Sequence, residues 1–419
     1  METKELCALI DSRKDELFDQ LIKLIQINSE SFATTGNEAE CAHYIYQLCN
    51  QLGLQTDLYS PMELDGFTNH PDYLPGRNLE NRYNVTAVWK GANDKNALTL
   101  MAHTDTVKIG NPENWTVPPL AGMVKDGKIY GRGACDDKYA LASVLFLVKI
   151  MKDTGFVPKA NLIFSAYSDE EYGGSHGALA AVLRYPCERI ISMDGVEGQI
   201  WQCASGGQEM KYVYHTEKTV DSAKLTASAI PVVMDSMNQF ADNRRNELEN
   251  NRFYAGTIVP GTSLRYMGIQ AGKQGMDLGV GEISFVYYTD KVKSEIYHEL
   301  AELHKEIKER LAPMGIVGDG FVPLTRFFHY AYCEPDSEDI RTLLSAAEAV
   351  GAQKPLVCGS CLSDLSVISK YGSREAYGYG MGRDFSVEGG AHQPDEFIEC
   401  EKLVEYTKVI GAYILKVLG

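Results

Sequence analysis

Apolar positions recur along this chain at two different periods, and the two alternate. Cys41, Tyr44, Ile45, Leu48, Cys49 and Leu52 return every three or four positions, which predicts a helix over residues 37–52. Residues 3–27 carry the same period, and Gly53 supplies a helix stop. Four short runs are instead continuously apolar, as buried strands are: Asn84–Trp89, Ala97–Ala102, Asn161–Tyr167 and Arg189–Met193. Between the second and third lies an apolar helix, Tyr139–Lys152, with Asp136 and Asp137 just before it, where the helix dipole favours negative charge. A Pro/Asn/Gly-rich loop covers roughly 60–83. Strand–helix–strand alternation of this kind predicts an α/β domain, a mostly parallel sheet flanked by helices.

From about residue 206 the pattern changes. An extended run, Met210–Thr216, is followed by a helix at 223–247, a Gly-rich extended region at 255–289 and a long charged helix at 292–312. This reads as a smaller α+β domain inserted at 206–318. The first pattern then returns in a strand-like Arg326–Cys333, a helix at 335–350, a Gly-rich stretch at 371–391 and a closing helix at 394–418. The main domain is therefore expected in two pieces, 1–205 and 319–419.

Charge narrows the function. The chain has 40 Lys+Arg against 57 Asp+Glu, a net charge of −17 with neutral His. Such a chain is a poor polyanion binder, so neither nucleic acid nor an anionic membrane surface is an expected partner. Clustered carboxylates suit metal cations instead. The longest apolar stretch, Leu141–Met151, is interrupted by Lys149 and is too short to span a bilayer. The opening Met1-Glu-Thr-Lys-Glu-Leu-Cys has no apolar signal core. The 10 cysteines are scattered and read as reduced, which points to a cytoplasmic compartment.

Candidate chemistry gathers where strands end. Ala97–Ala102 stops at His103-Thr-Asp105, Asn161–Tyr167 at Ser168-Asp-Glu170-Glu171, and Arg189–Met193 at Asp194. Gly131-Arg-Gly-Ala-Cys-Asp136-Asp-Lys138 precedes one helix, and Gly389-Gly-Ala-His392 the last. Each group alone has a plain reading as a turn, an N-cap or solvated surface. Five of them, each at the end of an element, suit a site at the carboxyl ends of the strands of an open α/β sheet.

These segments resemble the di-zinc family of aminoacylases, carboxypeptidase G, acetylornithine deacetylase, succinyl-diaminopimelate desuccinylase, peptidase T and carnosine-type dipeptidases. The resemblance rests on His103-Thr-Asp105 with Trp115, Asp126–Lys138, Asp169-Glu-Glu171-Tyr-Gly-Gly, Asp194 and Gly390-Ala-His392-Gln-Pro-Asp-Glu396. It implies a zinc-exopeptidase-like catalytic domain with an inserted lid and dimerisation domain, and two divalent metal ions, Zn2+ first, with Mn2+ or Co2+ suiting the same shell. His103 and Asp194 would bind one metal, Glu171 and His392 the other, and Asp136 would bridge them. Asp105 would hold the His103 imidazole in its ligand tautomer. Glu170 would be the general base for a water shared by two metals roughly 3.5–4 Å apart, which attacks an amide carbonyl. Cys135 reads as packing, and Cys358-Gly-Ser-Cys361 as a glycine turn near the site.

The insert departs from the family pattern. Many relatives carry a histidine there that reaches the partner subunit's site; in this sequence Asp221 falls at that position and His215 six residues earlier. Arg265, Lys291 and Arg383 are the candidates for a substrate carboxylate. The implied substrate is a small peptide or an N-acyl amino acid. An N-carbamoyl or N-formyl amidohydrolase, and a non-catalytic metal- or ligand-binding relative, are the alternatives. The implied assembly is a homodimer through the inserted domain.

Overall fold

The computed structural model describes residues 1–218, 220–254, 263–272, 279–334 and 336–419. In chain order the strands are β1 (Gln55–Tyr59), β2 (Asn84–Trp89), β3 (Asn96–His103), β4 (Met123–Lys125), β5 (Lys128–Tyr130), β6 (Asn161–Tyr167), β7 (Ile190–Ser192), β8 (Gln199–Ala204), β9 (Gly207–His215), β10 (Leu264–Ala271), β11 (Val280–Tyr288), β12 (Val317–Pro323), β13 (Ala331–Tyr332), β14 (Leu356–Gly359), β15 (Tyr377–Tyr379) and β16 (Phe397–Glu399). The principal helices are α1 (Thr3–Gln26), α2 (Ala39–Gln51), α3 (Lys138–Asp153), α4 (His176–Arg184), α5 (Ser222–Leu248), α6 (Lys293–Leu311), α7 (Glu338–Val350) and α8 (Cys400–Leu418).

The chain divides into two units, the first made of 1–202, 332–360 and 367–419, the second of 203–331 and 361–366. In the first, the apolar runs form the middle of a nine-stranded sheet of order β1-β2-β6-β3-β7-β15-β8-β13, with β14 beside β8. β6, β3, β7 and β15 run parallel, whereas β1, β2 and β8 pair antiparallel. The mostly parallel expectation therefore gives way to a mixed sheet. Apolar continuity marks burial on both faces of a strand and carries no direction, so it could not separate the two cases. The helical stripes of α1, α3 and α8 close into one core with the strands: Leu6, Leu17 and Leu21 meet Leu141, Leu147, Val409, Ile410 and Ile414. Gly411 lets these helices approach, since a Cβ there would lie 2.8 Å from Leu6 Cδ2 and 3.0 Å from Leu147 Cδ2.

The second unit is built on a four-stranded antiparallel sheet, β10-β11-β9-β12. Burial alternates along β9, so one face of the sheet is covered, and Tyr212, Tyr214, Phe285 and Tyr287 share a core with Val233, Met237 and Phe240 of α5 and Leu300, Leu303 and Ile307 of α6. This unit runs past residue 318, where the sequence pattern ended it, because β12 crosses that point and pairs with β9. Of the extended region expected at 255–289, residues 255–262 and 273–278 lie outside the described residues, as does Pro335 at the start of the expected helix at 335–350.

Two further expectations change. Arg326–Cys333 holds only the short β13, and the closing helix starts at Cys400 rather than 394, because residues 397–399 pair with β5 instead. Among the described residues no helix is long and apolar enough to cross a membrane.

Gly411→Val should overpack the α1–α3–α8 contact and lower the unfolding free energy by about 1–3 kcal/mol. Gly411→Ala should stay near neutral, since the helix-propensity gain of about 1 kcal/mol offsets the close approach to a mobile leucine methyl. Urea denaturation of the two variants checks this, and equal stabilities would mean that the helix layer is looser than described.

Candidate metal centre

Parallel pairing brings the strand ends to one edge. His103, the last residue of β3, lies opposite Tyr167, the last of β6, so the Ser168–Glu171 turn starts beside the imidazole. Asp194 follows β7, the other neighbour of β3, by two residues. A separate three-stranded sheet, β16-β5-β4, brings in the remaining two motifs. Phe397 pairs with Tyr130, and the Gly131 N–H donates to the Glu396 carbonyl at 2.8 Å. The buried Glu396 carboxylate accepts from Arg132 Nη1 at 2.6 Å and from the Cys135 N–H at 2.9 Å. Lys138 then donates to the carbonyls of Leu24 and Ile27, at 2.9 and 2.8 Å, at the C-terminal end of α1. The loop carrying Asp136 is thus held at both ends.

The centre itself is tight. One ligand atom each from His103, Asp136 and Glu171 lies within 4.8 Å of the other two. His103 Nε2 stands 3.0 Å from Asp136 Oδ1, while His392 Nε2 stands 3.2 Å from Asp136 Oδ2 and 2.8 Å from Glu171 Oε2. Each oxygen of one carboxylate therefore faces a different imidazole. The other Glu171 oxygen accepts the Val107 N–H at 2.9 Å. Burial opposes charge on His392, but Glu171 and Asp136 outweigh it and push the imidazole up to about 11. His103 is raised in the same way, burial being overcome by Asp136 and by the charges of Asp137 and Glu170. Burial likewise resists ionisation of Asp136, yet its two histidines hold it below the usual carboxylate range. Glu171 is raised by burial and by the Asp136 charge.

The residues singled out from the sequence fall into place unevenly. Asp105 touches the imidazole through its backbone carbonyl, 2.9 Å from His103 Nδ1, whereas its carboxylate is 3.7 Å away. That carboxylate accepts instead from the N–H groups of Glu170 and Glu171, each at 3.1 Å. Glu170 is half-buried next to Glu171. Asp194 is half-buried and lies outside the tight cluster, and its charge adds to the burial that raises Asp137. Arg383 stacks on Phe397, 4.0 Å from the ring centroid, and its carbonyl accepts the Ala391 N–H at 3.2 Å. Cys135 is buried, and burial pushes its thiol well up, which suits packing and not nucleophilic attack. Cys358 lies in β14 of the first unit, and Cys361 belongs to the second.

The other candidates are in the second unit. Asp221 is exposed at the N-cap of α5, His215 on β9 pairs with Asp319 at 2.8 Å, Arg265 is exposed on β10, and Lys291 pairs with Glu299 at 2.8 Å.

Sequence reasoning missed Glu38, Arg77, Arg82 and His176. All four are buried, and the last three converge on Asp169. Burial resists the Asp169 charge, but His176, Arg82 and Arg77 prevail and hold its carboxyl at about 2. Nothing local distinguishes Arg77 and Arg82 from other cations in a polar loop. Their partners lie 92 and 87 residues away.

The family model described as Peptidase family M20/M25/M40 matches residues 99–416. An N-formyl-4-amino-5-aminomethyl-2-methylpyrimidine deformylase of Halalkalibacterium halodurans is 31% identical over 193 residues, 46% of this chain and 40% of that protein. A succinyl-diaminopimelate desuccinylase of Wigglesworthia glossinidia brevipalpis is 41% identical over 90 residues, 22% and 24% of the two chains. The chain spans less than half the length of either relative. In fold it is similar to the di-peptidase Dug1p of Saccharomyces cerevisiae, with a TM-score of 0.74 at 16% identity over 99% of this chain and 98% of that one. Human carnosine dipeptidase 1 gives 0.71 at 15% identity over 99% of both. With a family match running from β3 into α8, the chain belongs to the peptidase family M20/M25/M40.

Proposed function

We propose that this protein is a metal-dependent hydrolase that cleaves the amide bond of a small peptide or an N-acyl amino acid. One observation carries the reading: the two oxygens of Asp136 face the Nε2 atoms of two different histidines, at 3.0 and 3.2 Å, so that this carboxylate could serve two cations, each with its own histidine. The donor set, imidazole nitrogen and carboxylate oxygen, fits Zn2+ and also Mn2+ or Co2+. His103 and Asp194 would hold one ion and Glu171 and His392 the other, with Asp136 shared. Two such ions supply polarisation of an amide carbonyl and a lowered pKa for water.

The chain's own groups do the rest. The Asp105 carbonyl accepts from His103 Nδ1 and so leaves Nε2 as the ligand nitrogen. Glu170 is beside a ligand without being one, and its carboxylate accepts the proton of the attacking water and returns it to the leaving amine. Arg383, on the loop that leads to His392, and Asp221, exposed on the second unit, are the candidate substrate contacts. A second reading, an N-formyl or N-carbamoyl amide as substrate, is favoured by the similarity to a deformylase. A cytoplasmic location fits 10 cysteines scattered along the chain. A homodimer through the second unit fits the edge position of β10, where Met267 and Ile269 are exposed.

The purified protein should bind two divalent ions per chain, and chelation should abolish hydrolysis reversibly. His103→Ala and His392→Ala should each lower the metal count by about one and eliminate turnover, because each removes one of two neutral nitrogen donors. Elemental analysis with a panel of dipeptides, N-acetyl, N-formyl and N-carbamoyl amino acids checks this. Full activity in metal-stripped protein would refute it.

Glu170→Gln should keep both metals yet lower kcat by about 10²–10⁴-fold, the usual contribution of a positioned proton acceptor. Metal loss in Glu170→Gln but not in Glu171→Gln would mean that the two roles are exchanged.

A further inference from the structure

Behind the proposed base lies a buried ionic cluster that the chemistry above does not use. Asp169 is fully buried with φ +67, a left-handed conformation that Asp tolerates better than most residues. Its Oδ1 accepts from Arg82 Nη1 at 2.6 Å and Arg77 Nη1 at 3.1 Å, and its Oδ2 lies 2.6 Å from His176 Nδ1. His176 Nε2 accepts the Leu74 N–H at 3.2 Å, so Nδ1 carries the proton and donates to Asp169. Arg82 is in turn fixed by Glu38, through Nε at 2.9 Å and through Nη2, and by the Ser31 hydroxyl at 2.9 Å.

The grip continues along the turn, one residue after another. Asp105 takes the N–H groups of Glu170 and Glu171, each at 3.1 Å, and its own carboxylate lies 3.9 Å from Arg82 Nη2. Arg77 Nη2 donates to the Tyr172 carbonyl. The Ser175 N–H closes back on the Asp169 carbonyl at 2.7 Å. Gly174 leaves room for the Asp169 carboxylate, since a Cβ there would fall 1.9 Å from Oδ2. Four consecutive residues, 169–172, are thus held by side chains from outside the turn. Glu171 has anchors of its own in the Val107 N–H and His392. Glu170 lies between Asp169 and Glu171 in this turn, so loosening the clamp on Asp169 moves its backbone.

We infer that Asp169, clamped by Arg82, Arg77 and His176, is the positioning residue that sets the carboxylate of Glu170, an inference that rests on the hydrolase reading above. Misplacing a catalytic group by about 1 Å can cost on the order of 10²-fold in rate. Asp169→Asn keeps the volume but turns an NH2 group toward donors. Gly174→Ala moves the carboxylate and removes no charge.

The test is a double-mutant cycle on the metal-loaded enzyme, reading kcat, KM, bound metal and melting temperature for Asp169→Asn, Glu170→Gln and the pair. Asp169→Asn should lower kcat by about 10–10²-fold with KM within about threefold and the metal count unchanged. In the Glu170→Gln background the same change should cost less than about threefold, because the group it positions no longer takes the proton. Gly174→Ala should reproduce the kcat loss, and it carries the cycle if Asp169→Asn does not fold. Arg77→Met should lower kcat, and Arg77→Lys should recover part of it by restoring one donor. Additive losses in the cycle, losses that track metal content, or an unchanged kcat in folded Asp169→Asn and Gly174→Ala would overturn the inference while leaving the hydrolase reading intact. A wild-type protein inactive on every amide would overturn both.

Discussion

Two imidazole nitrogens aimed at the two oxygens of a single half-buried carboxylate form the constraint around which the first unit is arranged. Asp136 has His103 on one side at 3.0 Å and His392 on the other at 3.2 Å, with Glu171 2.8 Å from the second histidine. These residues come from a strand end, a strand-to-helix loop, a turn and a late loop. No local preference would bring them together. The parallel β6–β3–β7 core places the first and third, and the small β16–β5 pairing places the other two.

Charge concentrated in this way is costly to bury, and the protein meets the cost with nearby partners. Three buried anions, Glu38, Asp169 and Glu396, are each paired with a buried arginine. Such pairs are weak sources of net stability, but losing one member is destabilising by about 3–5 kcal/mol. Their value here is geometric. Arg132 and Glu396 fix the loop bearing Asp136, and Arg82 with Asp169 fixes the turn bearing Glu170 and Glu171. Both pairs stand behind the site and leave the inward-facing oxygens and nitrogens free to face one another.

Much of this was legible in the sequence. The periods that mark α1 and α2 come from each helix's own amphipathic face, α3 shows as a helix apolar on nearly every side, and the runs at 84–89 and 161–167 match β2 and β6 residue for residue. The segments that bring His103, Asp136 and Glu171 together were legible because each is local. What stayed hidden depends on partners far away in sequence. The three-residue strands β4, β5, β15 and β16 are too short to show a period, and β16 replaced the expected first turn of the closing helix because Phe397 found Tyr130. Asp105 was expected to orient the His103 imidazole, but the sequence does not reveal that its carbonyl makes the contact while its carboxylate meets the N–H groups of a turn 65 and 66 residues on. The Arg132–Glu396 bond spans 264 residues, and neither motif alone announces the other.

The proposed bridging role of Asp136 is tested most directly by anomalous diffraction from crystals of the protein grown with Zn2+. The account predicts two anomalous peaks roughly 3.5–4 Å apart, with one Asp136 oxygen ligating each and with His103 and His392 on opposite ions. A single peak, or two peaks of which Asp136 ligates at most one, would contradict it.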